Sequence, residues 1–190
     1  MPDNKYLRNV LMPKYIAFLR AINVGGHTVK MDHLKSLFEK MGFINVETFI
    51  ASGNVVFETK SKSVDSMKKK IESDLHKQLG YQVAAFIRST EELKRITGYK
   101  PFKESELNNP NNNLYIGFLE SAPSKENQNK VFAMKNDINE FNFYHNELYW
   151  LCRKNFSDSG IDGKKLEKAL GMSATIRNST TIKKMVDKFC

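Results

Sequence analysis

Residues 15–59 read YIAFLRAINVGGHTVKMDHLKSLFEKMGFINVETFIASGNVVFET. The stretch opens on a short apolar run, Tyr15 to Leu19, whose length and Ile and aromatic content favour a buried strand. The double glycine Gly25-Gly26 then punctuates the chain. From Met31 the period changes. Met31, Leu34, Leu37, Phe38 and Met41 recur at three- and four-residue steps, which puts them on one helical face. Gly42 then stands where a left-handed residue commonly stops a helix. Two strand-like runs, 46–51 and 55–59, flank Ser52-Gly53-Asn54, a turn whose glycine tolerates positive φ.

The same grammar continues outward. Val64, Met67, Ile71 and Leu75 share a second helical face between Ser63, an N-cap, and Gly80, a stop. Residues 81–88 are strand-like again. The order β-α-β-β-α-β is the split pattern of ferredoxin-like folds. In that topology the first and second strands run one way and the third runs back. The loop 20–30 and the turn 52–54 are therefore expected to meet at one end of the sheet, although they are far apart in sequence.

A weaker copy begins about a hundred residues later. Tyr115-Ile116-Gly117-Phe118-Leu119 echoes Tyr15-Ile16-Ala17-Phe18-Leu19. A helix from Ser124 carries Val131 and Met134. Phe141, Phe143 and His145 alternate, as do Leu148, Trp150 and Cys152, with a turn at Asn146-Glu147. Leu166, Ala169 and Leu170 form a short helix stopped by Gly171. Ile87-Arg88-Ser89, opening a helix with a Ser89–Glu92 capping box, resembles Ile176-Arg177-Asn178 before the last helix, which buries Ile182, Met185, Val186 and Phe189. The expected fold is α+β: two ferredoxin-like βαββαβ units in tandem, with antiparallel sheets and helices on one face. The expected divisions are a leader at 1–13, a first unit at 14–99, a Pro- and Asn-rich connection at 100–113 and a shortened second unit at 114–190.

Composition fits such a chain, with 41% hydrophobic and 27% charged residues. No apolar run approaches the roughly 18 residues of a membrane span, and the N-terminus lacks an apolar signal core. Cys152 and Cys190 have no metal or redox spacing. A cytoplasmic protein without metal or cofactor is expected. The net charge is +9. Residues 1–100 hold 17 Lys and Arg against 10 Asp and Glu, and the remainder holds 13 against 11. The basic excess in the first half would attract phosphates or nucleic acid.

These motifs resemble a bacterial family, the domain of unknown function DUF1697. The matches are Leu19-Arg20-Ala21-Ile22-Asn23-Val24-Gly25-Gly26, Lys30-Met31 with Leu34, Ser52-Gly53-Asn54-Val55-Val56-Phe57, and a closing Arg177-Asn178 with Thr181 and Lys183. Ala21 departs from a usual Gly and Ser179 from a usual Trp. The resemblance implies the two-part α+β fold and carries no activity with it.

The first candidate site is the glycine-loop end of unit one. Gly25 and Gly26 can expose backbone N–H groups just before a helix start, where donors and dipole favour an anion. Arg20 and Lys30 add charge, while Asn23, Ser52, Gly53 and Asn54 add neutral hydrogen bonds. The favoured partner is an anionic small molecule, a nucleotide or phosphorylated metabolite. The same residues also have a plain reading, in which Asn23 and Asn54 tie loops together and Arg20 braces a carboxylate. Arg177, Asn178 and Lys183 form a second polar candidate.

One alternative is nucleic-acid binding, with Tyr15 and Tyr115 stacking bases from the sheets. Another is a protein-interaction module without a ligand. No catalytic set emerges. Ser52 lacks an elbow motif and an assigned base, and His27, His33, His76 and His145 lack ligand spacing. Asp158 and Asp162 lack the EF-hand order.

Overall fold

The computed structural model describes residues 12–23, 26 and 28–190. The first unit runs β1 (Lys14–Leu19), α1 (Met31–Lys40), β2 (Ile44–Phe49), β3 (Asn54–Glu58), α2 (Val64–Leu79), β4 (Ala85–Ser89) and α3 (Thr90–Gly98). A short helix, α4 (Glu104–Leu107), lies in the connection. The second unit repeats the order: β5 (Asn113–Leu119), α5 (Lys125–Phe132), β6 (Asn139–Tyr144), β7 (Glu147–Cys152), α6 (Gly163–Leu170), β8 (Ala174–Asn178) and α7 (Ser179–Phe189). Each unit forms one antiparallel sheet, in the orders β2-β3-β1-β4 and β6-β7-β5-β8. Both are the ferredoxin-like arrangement.

The alternation within the central strands sets the layers. Tyr15, Ala17 and Leu19 of β1 face α1 and α2, where they meet Leu34, Phe38, Met67, Ile71 and Leu75. Ile16 and Phe18 point the other way, into a core that also holds Ile116, Phe118 and Tyr149 of the second sheet. The two sheets thus pack through their inner faces. At the middle, the Phe18 and Phe118 rings stack at 3.9 Å with an interplanar angle of 9°. These residues are equivalent in the two units, so the stack marks an approximate two-fold relation. The crossover helices of each unit cover the outer face of its own sheet, with Trp150, Val131, Leu166 and Leu170 filling the second outer core. The terminal helices α3 and α7 complete the shared core with Leu93, Ile96, Ile182 and Met185.

Local chemistry explains the ends of these elements. Ser63 caps α2 by accepting the Ser66 N–H, and Gly80 closes the helix at φ 79°. Ser89 and Glu92 make both hydrogen bonds of a capping box on α3. The first hairpin differs from expectation. β2 ends at Phe49 and β3 begins at Asn54, so Asn54 is a fully buried strand residue and not part of the turn. Its amide donates to Phe49 O at 3.1 Å and Ser52 Oγ at 2.8 Å, bonds that fold the preceding loop over the strand start. In the second hairpin Glu147 likewise opens β7 and is buried. β4 begins at Ala85, later than the sequence suggested. Among the described residues, no helix is long and apolar enough to cross a membrane.

Candidate functional site

The loop after β1 and the hairpin before β3 do meet. The Leu19 N–H donates to Gly53 O at 2.8 Å. Asn23 donates to Ala51 O at 3.0 Å and accepts the Val29 N–H at 2.6 Å, joining both loops to the approach to α1. Two non-glycine residues here, Ala21 and Asn23, hold positive φ values of 69° and 55°. Gly53 has φ +71°, and a Cβ placed on it would come within 2.9 Å of Ile22 Cβ. The turn therefore requires glycine for both its conformation and its contact.

The expected cluster is nevertheless divided. Arg20, Asn23 and Ser52 line one cleft between the units, with a volume of about 370 Å³. Gly26 and Lys30 do not join them. They line a separate depression beside His33, Gln78 and Tyr81, because the loop carries them past the end of the sheet toward α2. Asn54 lies beneath the cleft, fully buried and bonded on every side. Gly25 lies outside the described residues, as do Val24, His27 and residues 1–11 of the leader.

The cleft gains a residue assigned by sequence to another site. Arg177, on β8, reaches across from the second unit. Its Nε donates to Asn54 Oδ1 at 2.7 Å, and one terminal nitrogen donates to Leu19 O at 2.9 Å and Ser52 O at 2.7 Å. The other donates to Thr175 Oγ1 and Ile176 O. Arg88, its counterpart on β4, does the same in reverse. It reaches Glu147 Oε1 at 2.7 Å, Leu119 O at 2.9 Å and its own neighbour Ile87 O. Two arginines thus clip each unit to the strand end and hairpin of the other.

The two clips differ in charge. Arg88 is buried against a buried carboxylate, Glu147. Arg177 faces the neutral amide of Asn54 and has no acid partner among the described residues. Burial pulls its guanidinium down to about 10. The flanking ion pairs show the same asymmetry. Arg20 pairs with Glu167 of α6 at 2.7 Å, with the Arg20 side chain still 42% exposed. At the equivalent place in the second unit stands Glu120, paired with Lys68 of α2. Glu167 and Glu72 are themselves equivalents, each accepting the N–H of the first residue of the last strand, Ala174 or Ala85, at 2.9 Å. Among these groups, Arg177 and Arg20 face one carboxylate, Glu167, whereas Arg88 and Lys68 face three, Glu147, Glu120 and Glu72. Beside the cleft lies a second lobe of about 470 Å³, which shares Arg20, Ala174 and Ile176 and adds Asp162, Lys164, Leu166 and Glu167. Arg20 stands between the two lobes.

The other expectations separate as well. Asn178 caps α7 by accepting the Thr180 N–H at 2.8 Å, and with Lys183 it faces a cavity away from Arg177. Neighbouring strand residues point to opposite faces, so Arg177 and Asn178 could not share one site. Tyr15 is buried against Phe57, and Tyr115 packs on Trp150 and Phe156. The buried Tyr15 ring offers no face for base stacking, and Tyr115 is partly buried among these contacts. Sequence reasoning missed Glu167 and the pairing of Arg177 with Asn54. The Ile87-Arg88 and Ile176-Arg177 echo marked equivalent positions but could not say what each arginine would touch.

The residues that build this junction fall within one family match. The model of the protein family of unknown function DUF1697 matches residues 12–149. The chain belongs to that family. The DUF1697 match takes in the loop after β1 and the first hairpin, and stops before Arg177, so the closing motif rests on the sequence resemblance. Among solved structures, the conserved bacterial protein SP0830 from Streptococcus pneumoniae is similar, with 19% sequence identity and a TM-score of 0.74 over 93% of this chain and 98% of that one. At that identity the likeness concerns the fold. Among curated proteins, none matches this DUF1697 chain.

Proposed function

We propose that this protein binds a small anionic molecule, a nucleotide or phosphorylated metabolite, in the cleft between the units at Arg20, Asn23, Ser52 and Arg177. The observation that carries this reading is the internal comparison. The same fold position holds a neutralised arginine at one end, Arg88 with Glu147, and an arginine without an acid at the other. A partly desolvated cation is costly unless a negative charge approaches it. A ligand anion would supply that charge; because all five N–H groups of Arg177 already donate within the protein, it would act through its charge, while Arg20, still partly exposed, would make the direct hydrogen bonds.

The reading makes Glu167 a competitor. An anion reaching Arg20 must share it with, or take it from, that carboxylate. The first test is a thermal-unfolding screen of the wild type against phosphorylated metabolites and nucleotides. Binding to the native state adds about 2.7 kcal/mol of stability at a hundredfold excess over Kd, by mass action, and so raises the midpoint. A positive response that Arg20→Ala removes, without loss of fold, supports the cleft. A flat response across the panel counts against it. We also infer a cytoplasmic setting, supported by two cysteines that form no disulfide.

A further inference from the structure

Donors at the inter-unit cleft fall into those already spent and those still open to it. Every N–H of Arg177 is spent within the protein. The Asn54 amide is spent on Phe49 O and Ser52 Oγ, and Asn23 gives a hydrogen to Ala51 O. Arg20 uses one terminal nitrogen on Glu167. Ser52 Oγ and Thr175 Oγ1 each accept a bond, from Asn54 and Arg177, and neither donates to any described residue. A hydroxyl that has accepted a bond still has its proton to give, and both residues line the cleft. Building on the anion-binding reading above, we infer that the cleft is selective for a phosphate monoester, whose terminal oxygens take the Ser52 and Thr175 hydroxyl protons and a hydrogen bond from Arg20.

The other end of the molecule shows what these positions look like without such a role. Thr175 pairs with Phe118 across β5 and β8, as Phe86 pairs with Phe18 across β1 and β4. Thr175 therefore holds the place of Phe86, which fills the shared core. The exchange removes a ring beside the arginine and leaves a hydroxyl at a position only 4% exposed. Thr175 and Arg177, two residues apart on one strand, share a face. Ser52 lies in a loop at 50–53, between β2 and β3, where the second hairpin has only residues 145–146. Ser52 O and Thr175 Oγ1 accept from the two terminal nitrogens of Arg177 at 2.7 Å each, so the two residues are close neighbours.

The donor set fixes the class of anion. A carboxylate has two oxygens in one plane, which a single arginine fork satisfies. Here the open donors come from three segments: the loop after β1, the first hairpin and β8. They match the three terminal oxygens of a phosphate monoester, whose charge of about −1.5 to −2 near pH 7 answers two guanidinium groups. The lobe beyond Arg20, of about 470 Å³ and floored by Leu166 and Ile176, has room for the esterified body.

The test is amide spectroscopy of nitrogen-labelled full-length protein titrated with inorganic phosphate, adenosine monophosphate and acetate at constant ionic strength. Saturable shifts are expected at Ser52, Gly53 and Thr175 with phosphate and, at lower concentration, with the nucleotide, but not with acetate. Thr175→Val keeps the shape and removes the hydroxyl, and should weaken nucleotide binding about tenfold, the scale of one hydrogen bond to a charged group. Thr175→Ser should bind as the wild type does. Ser52→Ala, which leaves every Arg177 bond in place, should also weaken binding about tenfold. If Arg20→Ala loses the ligand while Thr175→Val and Ser52→Ala bind as the wild type does, the cleft stands as an anion site and the hydroxyl grip is overturned. Equal binding of acetate and phosphate overturns the phosphate selectivity alone. Absence of any saturable shift in the wild type overturns both readings.

Discussion

At the scale of single residues, the two arginine clips carry unequal burdens. Arg88 neutralises Glu147, which is 1% exposed and whose Oε2 has no hydrogen-bond partner in the described structure. Removing the guanidinium strands a carboxylate in the interior. Arg88→Ala should therefore cost about 3–5 kcal/mol in urea unfolding. Adding Glu147→Gln should recover a measurable part of that loss, because the charge left behind is gone. If the double variant is as unstable as the sum of the singles, the ion pair is not what holds the clip. Gly53 is the other position where one atom decides. A Cβ there meets Ile22 while the backbone keeps a positive φ, so Gly53→Ala should cost about 1–3 kcal/mol, read from the same unfolding curves. A neutral result would mean that the hairpin and the loop after β1 do not pack in this register.

At the scale of elements, most of the helices and strands announce themselves through periodicity and caps. Leu34, Leu37 and Phe38 share a face because the helix returns there every three or four residues, and the structure buries all three. The Ser89–Glu92 box is legible for the same reason: its two hydrogen bonds depend on local spacing alone. Ser89→Ala should cost about 1 kcal/mol, and Glu92→Ala a similar amount. If Glu92→Ala is silent, the reciprocal bond contributes nothing. The limits of such reading also appear at this scale. Ser52-Gly53-Asn54 has turn composition, yet Asn54 belongs to β3, because its amide is claimed by Phe49, Ser52 and Arg177. The last of these partners lies 123 residues away, and no local pattern encodes it. The candidate site suffers for the same reason. Its two-loop junction comes from topology, whereas Lys30 departs with the path of its loop toward α2 inside the first unit, and the arrival of Arg177 depends on how two separate units pack.

At the scale of the whole molecule, the units share one core and should not unfold one at a time. Trp150 is the chain's single tryptophan and lies in the outer core of the second unit. Phe18 belongs to the first unit and reaches the second through Phe118. Phe18→Ala should destabilise the protein by about 3–5 kcal/mol, and Trp150 fluorescence should report the loss together with circular dichroism. A Trp150 transition that stays in place would show that the halves are energetically independent.

The approximate two-fold relation also gives the functional account its leverage, since one end of the molecule serves as a control for the other. At the Arg88 end Glu147 neutralises the arginine and Glu120 pairs with Lys68, whereas the Arg177 end keeps Asn54, Arg20 and a cleft. The most direct measurement is the affinity of the best anionic ligand for three proteins: wild type, Arg20→Ala and Glu167→Gln. The last substitution keeps the acceptor for Ala174 N–H and frees Arg20 of its carboxylate. The account predicts weaker binding to Arg20→Ala and tighter binding to Glu167→Gln. Equal affinities for all three proteins would contradict it.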